Sequence, residues 1–113
     1  MRIDVGPAAD LAEGSSCAVA VPEAPAAALL PDAAGERKVA LCRVGGRPYA
    51  VTNVCPHLGG PLAEGYLEGP VLTCPWHGWR FDVTTGRSTS HPEISIPTYR
   101  LSDDGGRLQL EVP

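Results

Sequence analysis

Two short segments constrain this chain more than anything else in it: Cys55-Pro56-His57-Leu58-Gly59-Gly60-Pro61-Leu62 and Cys74-Pro75-Trp76-His77-Gly78-Trp79-Arg80-Phe81-Asp82. Each offers one thiol and one imidazole, with proline beside the cysteine and glycine nearby. Proline fixes its backbone angle and lacks an N–H, and glycine tolerates conformations other residues avoid, so these are loop tips and not helix or strand interiors. Thiolates and imidazoles are the soft and borderline ligands that iron, zinc and copper prefer. Four of them on two facing loops predict a metal site at Cys55, His57, Cys74 and His77.

A tetrahedral zinc site of two cysteines and two histidines usually pairs Cys with Cys and His with His along the sequence. Here the types alternate within each pair. Alternation suits a binuclear centre in which one iron takes both cysteines and the other both histidines, since each loop then supplies one ligand to each iron. Zinc in the same four residues is the competing reading, and a visible absorption band separates the two because zinc is d¹⁰ and colourless.

The spacing Cys-x-His followed by Cys-x-x-His, with Gly59, Gly60, Gly78 and Pro61 around it, resembles the Rieske [2Fe–2S] signature, in which two histidines replace two cysteines on one iron. The resemblance runs from about Val39 to the C-terminus and is close to bacterial Rieske-type ferredoxins. It implies one [2Fe–2S] cluster on Cys55, His57, Cys74 and His77. It also implies an all-β Rieske iron–sulfur fold, with an antiparallel β-sandwich-like base and a small cluster-binding subdomain at about 53–82.

The charge of that ligand set governs the electron. Two ferric ions and two sulfides carry two positive charges, which two thiolates cancel; one electron then makes the neutral site a monoanion. A four-cysteine cluster starts as a dianion, so the mixed set is easier to reduce. Family potentials span roughly −150 to +300 mV, set by hydrogen bonds around the cluster. High-potential relatives carry an extra cysteine in each loop and hydroxyl residues after the last histidine. This chain has Gly60 and Trp76 at the first pair of positions and Trp79 and Phe81 at the second, which points to the low end of the range. Histidine ligation further implies a midpoint potential that falls as pH rises past the oxidised-state imidazole pKa values.

The rest of the chain is read as one domain, residues 1–113. Glycine and proline together make 25 of 113 residues, which favours a turn-rich β fold over a helical one. Strands are expected at 17–21, Lys38–Val44, 47–54 and 71–73, with Gly45-Gly46 as a two-residue hairpin turn. Tyr99 and Leu101, then Leu108, Leu110 and Val112, alternate on either side of Asp103-Asp104-Gly105-Gly106, a terminal hairpin. Residues 22–36, rich in proline and alanine, read as a surface insertion, and 63–70 as a polar, glycine-punctuated connection. Phe81 is expected in the core. Cys17 and Cys42 read as small buried hydrophobes and His91 as a solvated loop residue.

A net charge of −4 without a basic patch speaks against nucleic acid and anionic membranes as partners. The first residues lack an apolar core of signal-peptide length, and a cytoplasmic location is expected. No second set of two histidines and a carboxylate for mononuclear iron, no dinucleotide fingerprint and no flavin signature is visible, so the chain reads as an electron-transfer component and not an enzyme by itself. The resemblance implies a ferredoxin component carrying electrons from a flavin-dependent reductase to a terminal Rieske-type oxygenase. Alternatives are the small subunit of an assimilatory nitrite reductase, partnered by its large subunit, and a zinc-stabilised interaction module.

Overall fold

The computed structural model describes residues 1–24, 29, 31–32, 34–57, 59–76 and 78–112. Among the described residues nine strands follow one another: β1 (Arg2–Pro7), β2 (Ser16–Ala20), β3 (Lys38–Val44), β4 (Arg47–Thr52), β5 (Tyr66–Glu68), β6 (Val71–Thr73), β7 (Arg80–Asp82), β8 (Thr98–Asp104) and β9 (Arg107–Glu111). Two single turns of 3₁₀ helix, Ala8–Asp10 and Leu62–Glu64, interrupt them, and no α-helix occurs among the described residues. No helix is long and apolar enough to cross a membrane among those residues.

All pairings between strands are antiparallel. One sheet runs in the order β1-β9-β8-β4-β3-β2 and a smaller one in the order β5-β6-β7. The hairpins β3–β4 and β8–β9 close with Val44 opposite Arg47 and Asp104 opposite Arg107. Each turn is Gly-Gly, and all four glycines have positive φ, 59° and 80° in the first and 62° and 89° in the second. Two consecutive left-handed residues are what a tight hairpin matching the strand twist requires.

The larger sheet curls, so Ile3 of β1 and Leu108 and Leu110 of β9 meet Val39 and Leu41 of β3 in one core. A second core lies on the other side of β3 and β4. Side chains alternate along a strand, and β3 uses both faces: Val39 and Leu41 enter the first core, Ala40 and Cys42 the second. Ala50 and Val51 of β4 divide in the same way. That is why Val39-Ala40-Leu41-Cys42 reads as a continuous apolar run. The second core also holds Leu72 of β6 and Phe81 of β7, which sit directly opposite one another in the small sheet.

Several details differ from the sequence expectations. Residues 63–70 contain a 3₁₀ turn and the strand β5, because Leu67 faces Leu72 across the small sheet and packs against the second core. Cys17 is exposed and not buried, on β2 at the edge of the sheet. Cys42 is buried. The expected insertion at 22–36 falls partly outside the described residues; of those described, Ala24 and Leu29 are buried in the first core.

Candidate metal centre

Both cysteine loops are built alike. In the first, the Cys55 N–H donates to the Gly60 carbonyl at 2.9 Å; in the second, the Cys74 N–H donates to the Trp79 carbonyl at 2.7 Å. Each bond spans from the cysteine to the residue five further on. The glycine fourth after each cysteine takes a positive φ, 75° at Gly59 and 74° at Gly78, which turns the chain back at little steric cost. Strand β4 feeds the first loop through Asn53, and β6 leads into Cys74 while β7 leads away. Asn53 is buried: its carbonyl accepts from the Leu62 N–H and its Oδ1 from the Ala63 N–H, both at 2.9 Å, so it pins the chain that leaves the first loop.

Cys55 and Cys74 are both buried and lie beside one another in the second core. Burial pushes the Cys55 thiol up to about 11; the His57 backbone N–H works against this, and the neighbouring Cys74 adds to it. The two loops approach closely because position 60 has no side chain. A Cβ there would stand 2.7 Å from the Cys74 Sγ and 3.1 Å from the Trp76 ring. His57 is half-buried, with its Nδ1 shielded from solvent. His77, the fourth residue of the expected set, lies outside the described residues.

Trp79 stacks on two histidines. Its ring stacks on His57 with centroids 4.5 Å apart and planes 12° apart, and on His91 at 4.5 Å and 26°. His91 is therefore not a solvated loop residue. It is half-buried, and its loop is tied down by Ser88, whose Oγ accepts from the His91 N–H at 2.9 Å. Sequence spacing had no means of finding this contact, since Trp79 and His91 are brought together by a tertiary turn. Asn53 carried a weak signal as a polar residue directly before an apolar loop entry.

The donor set fits a thiophilic metal group: two adjacent buried sulfurs, an imidazole at the same loops, and a gap at Gly60 that keeps the sulfurs together. The Rieske [2Fe-2S] domain family matches residues 2–100. The ferredoxin component of the naphthalene 1,2-dioxygenase system of Pseudomonas aeruginosa is 36% identical over 96 residues, 84% of this chain and 92% of that protein. Among solved structures, the Sphingomonas yanoikuyae B1 ferredoxin superposes over 100% of both chains with a TM-score of 0.81 at 26% identity. A chain in the complex of reduced oxygenase and oxidised ferredoxin of carbazole 1,9a-dioxygenase matches 96% of this chain and 91% of its own length, with a TM-score of 0.76 at 26% identity. Sequence, architecture and the paired cysteine loops agree: this chain belongs to the Rieske [2Fe–2S] domain family.

Proposed function

We propose that the chain is a one-electron carrier that holds one [2Fe–2S] cluster on Cys55, Cys74, His57 and His77 and delivers electrons from a flavin-dependent reductase to a terminal Rieske-type oxygenase. The observation that carries this reading is the meeting of the buried Cys55 and Cys74 thiols between two loops closed by the same hydrogen bond. When bound, such a cluster supplies reversible one-electron storage.

The chain's own residues do the rest. Leu62, Leu72 and Phe81 surround the two cysteines with apolar side chains and keep water from the sulfurs. Since burial favours the protonated Cys55 thiol, loading a metal group releases protons. His57 is only half-buried, so a partner's redox centre can approach its loop. Trp76, on the second loop, is 45% exposed and offers an aromatic anchor of the kind that carries binding energy at protein interfaces. The oxygenase as acceptor is supported by the role of the Pseudomonas aeruginosa relative in a dioxygenase system and by the carbazole 1,9a-dioxygenase complex. In this reading residues of about 53–82 are the cluster-binding subdomain of a single domain.

The test is to reduce the purified protein, mix it with an oxidised terminal oxygenase and follow reoxidation by visible absorbance. The expected result is transfer of one electron per chain, slowed roughly tenfold by Trp76→Ala, equivalent to about 1.4 kcal/mol of docking energy. A colourless protein containing zinc would refute the carrier. A coloured protein that passes no electron to any such oxygenase would refute this assignment of the acceptor.

A further inference from the structure

Resting on the cluster reading above, we infer that His91 is a positioning residue for the His57 imidazole, acting through Trp79. Three rings from three separate segments form one stack: His57 of the first loop, Trp79 at the close of the second, and His91 of the 88–96 turn, with 4.5 Å between successive centroids. The middle ring has little freedom. Trp79 is held at its backbone by the bond from Cys74, and its ring stacks on both imidazoles.

The outer ring is equally well anchored. The His91 N–H donates to Ser88 Oγ at 2.9 Å, and the His91 carbonyl accepts from the Ile94 N–H at 2.8 Å. Ser88 is buried and bridges to Phe81 of β7, so the turn carrying His91 is fastened to the strand that leaves the second loop. His91 is thus a fixed wall behind Trp79, and Trp79 transmits that wall to the plane of His57.

A feature of His91 itself separates stacking from hydrogen bonding. Its Nδ1 is buried and has no hydrogen-bond partner among the described residues. A buried ring nitrogen without a partner is a cost that a hydrocarbon ring would not carry, so the side chain contributes here through its flat face. Groups that orient a metal ligand tune the metal, because ring orientation sets how the ligand's orbitals meet it. The stack therefore fixes the orientation of one ligand ring from a residue that is not itself a ligand.

Three variants decide this: His91→Ala removes the wall, His91→Leu restores bulk without a flat ring, and His91→Phe restores the ring. Two readouts are taken. In the metal-free protein, NMR reports the ring-current displacement of the His57 ring protons by Trp79. In the loaded, reduced protein, electron paramagnetic resonance reports the line width and the imidazole nitrogen couplings. The expected result is loss of the ring-current displacement and broadening of the resonance in His91→Ala and His91→Leu, with both native in His91→Phe. Native behaviour in all three overturns the inference. So does native behaviour in His91→Leu with change only in His91→Ala, which would assign His91 to space-filling. Should His91→Ala fail to fold, the comparison of His91→Leu with His91→Phe still decides. The metal-free readout stands apart from the cluster: an intact ring-current pattern in a protein that assembles no cluster refutes the proposed function, and the ligand-positioning role falls with it. A well-formed cluster whose resonance ignores all three variants refutes the positioning role alone.

Discussion

At the scale of single residues, the close approach of the two cysteine loops depends on Gly60. A methyl group at this position would press on the Cys74 Sγ at 2.7 Å and on the Trp76 ring at 3.1 Å. Gly60→Ala is expected to reduce iron bound per chain and to destabilise the protein by about 1–3 kcal/mol, the usual range for overpacking. Iron analysis together with urea unfolding checks both. Cys42, outside the proposed ligand set, gives the fold a pH dependence of its own. Burial raises its thiol from the ordinary 9.0 to about 12, with a smaller push from Cys17. Below the ordinary value both folded and unfolded chains keep the proton, and stability is intact; between about 9 and 12 the unfolded chain gives it up while the folded one holds it, so stability falls as pH rises. Cys42→Ala should flatten part of that alkaline decline in denaturation curves measured across the window. The loops that carry Cys55, His57 and Cys74 were legible in the sequence because proline and glycine mark loop tips locally. The stacking of His91 and the exposure of Cys17 were not, since one depends on a tertiary contact and the other on which strand ends the sheet.

At the scale of elements, the small sheet is a support for the second loop. Leu67, Leu72 and Phe81 form one row across β5, β6 and β7, and this row packs into the same core as Cys55 and Cys74. Phe81→Ala is expected to cost about 3–5 kcal/mol, read by urea unfolding, because it empties a fully buried aromatic position. The loss should appear alongside a lower yield of loaded protein, since β7 also carries the bridge to Ser88 behind His91. The two Gly-Gly hairpins and the alternation of Leu108, Leu110 and Val112 were readable from sequence because turn chemistry and period-two burial are local signals. Strand β5 was not, because Tyr66–Glu68 is short and exposes Tyr66 and Glu68, leaving Leu67 as its one inward side chain. Its existence is decided by pairing with β6, a partner that a local pattern does not reveal.

At the scale of the whole molecule, the six-stranded sheet separates two tasks. One face closes over the first core, and the other, through Ala40, Cys42 and Val51, packs in the second core with Cys55 and Cys74. A rigid sheet behind short, hydrogen-bonded loops is what a site of fixed geometry needs. The acidic balance of the chain, −4 overall, suits docking on a basic face of a partner. The proposed function requires two sulfurs and two imidazoles to share one binuclear iron group. The direct measurement is pulsed electron paramagnetic resonance of the reduced protein, with and without ¹⁵N-labelled histidine, at the end of a reductive titration. The expected outcome is uptake of one electron per chain and a signal coupled to nitrogens from two histidine rings, both changed by the label. A signal with no histidine coupling, or a protein that takes up no electron, would contradict it.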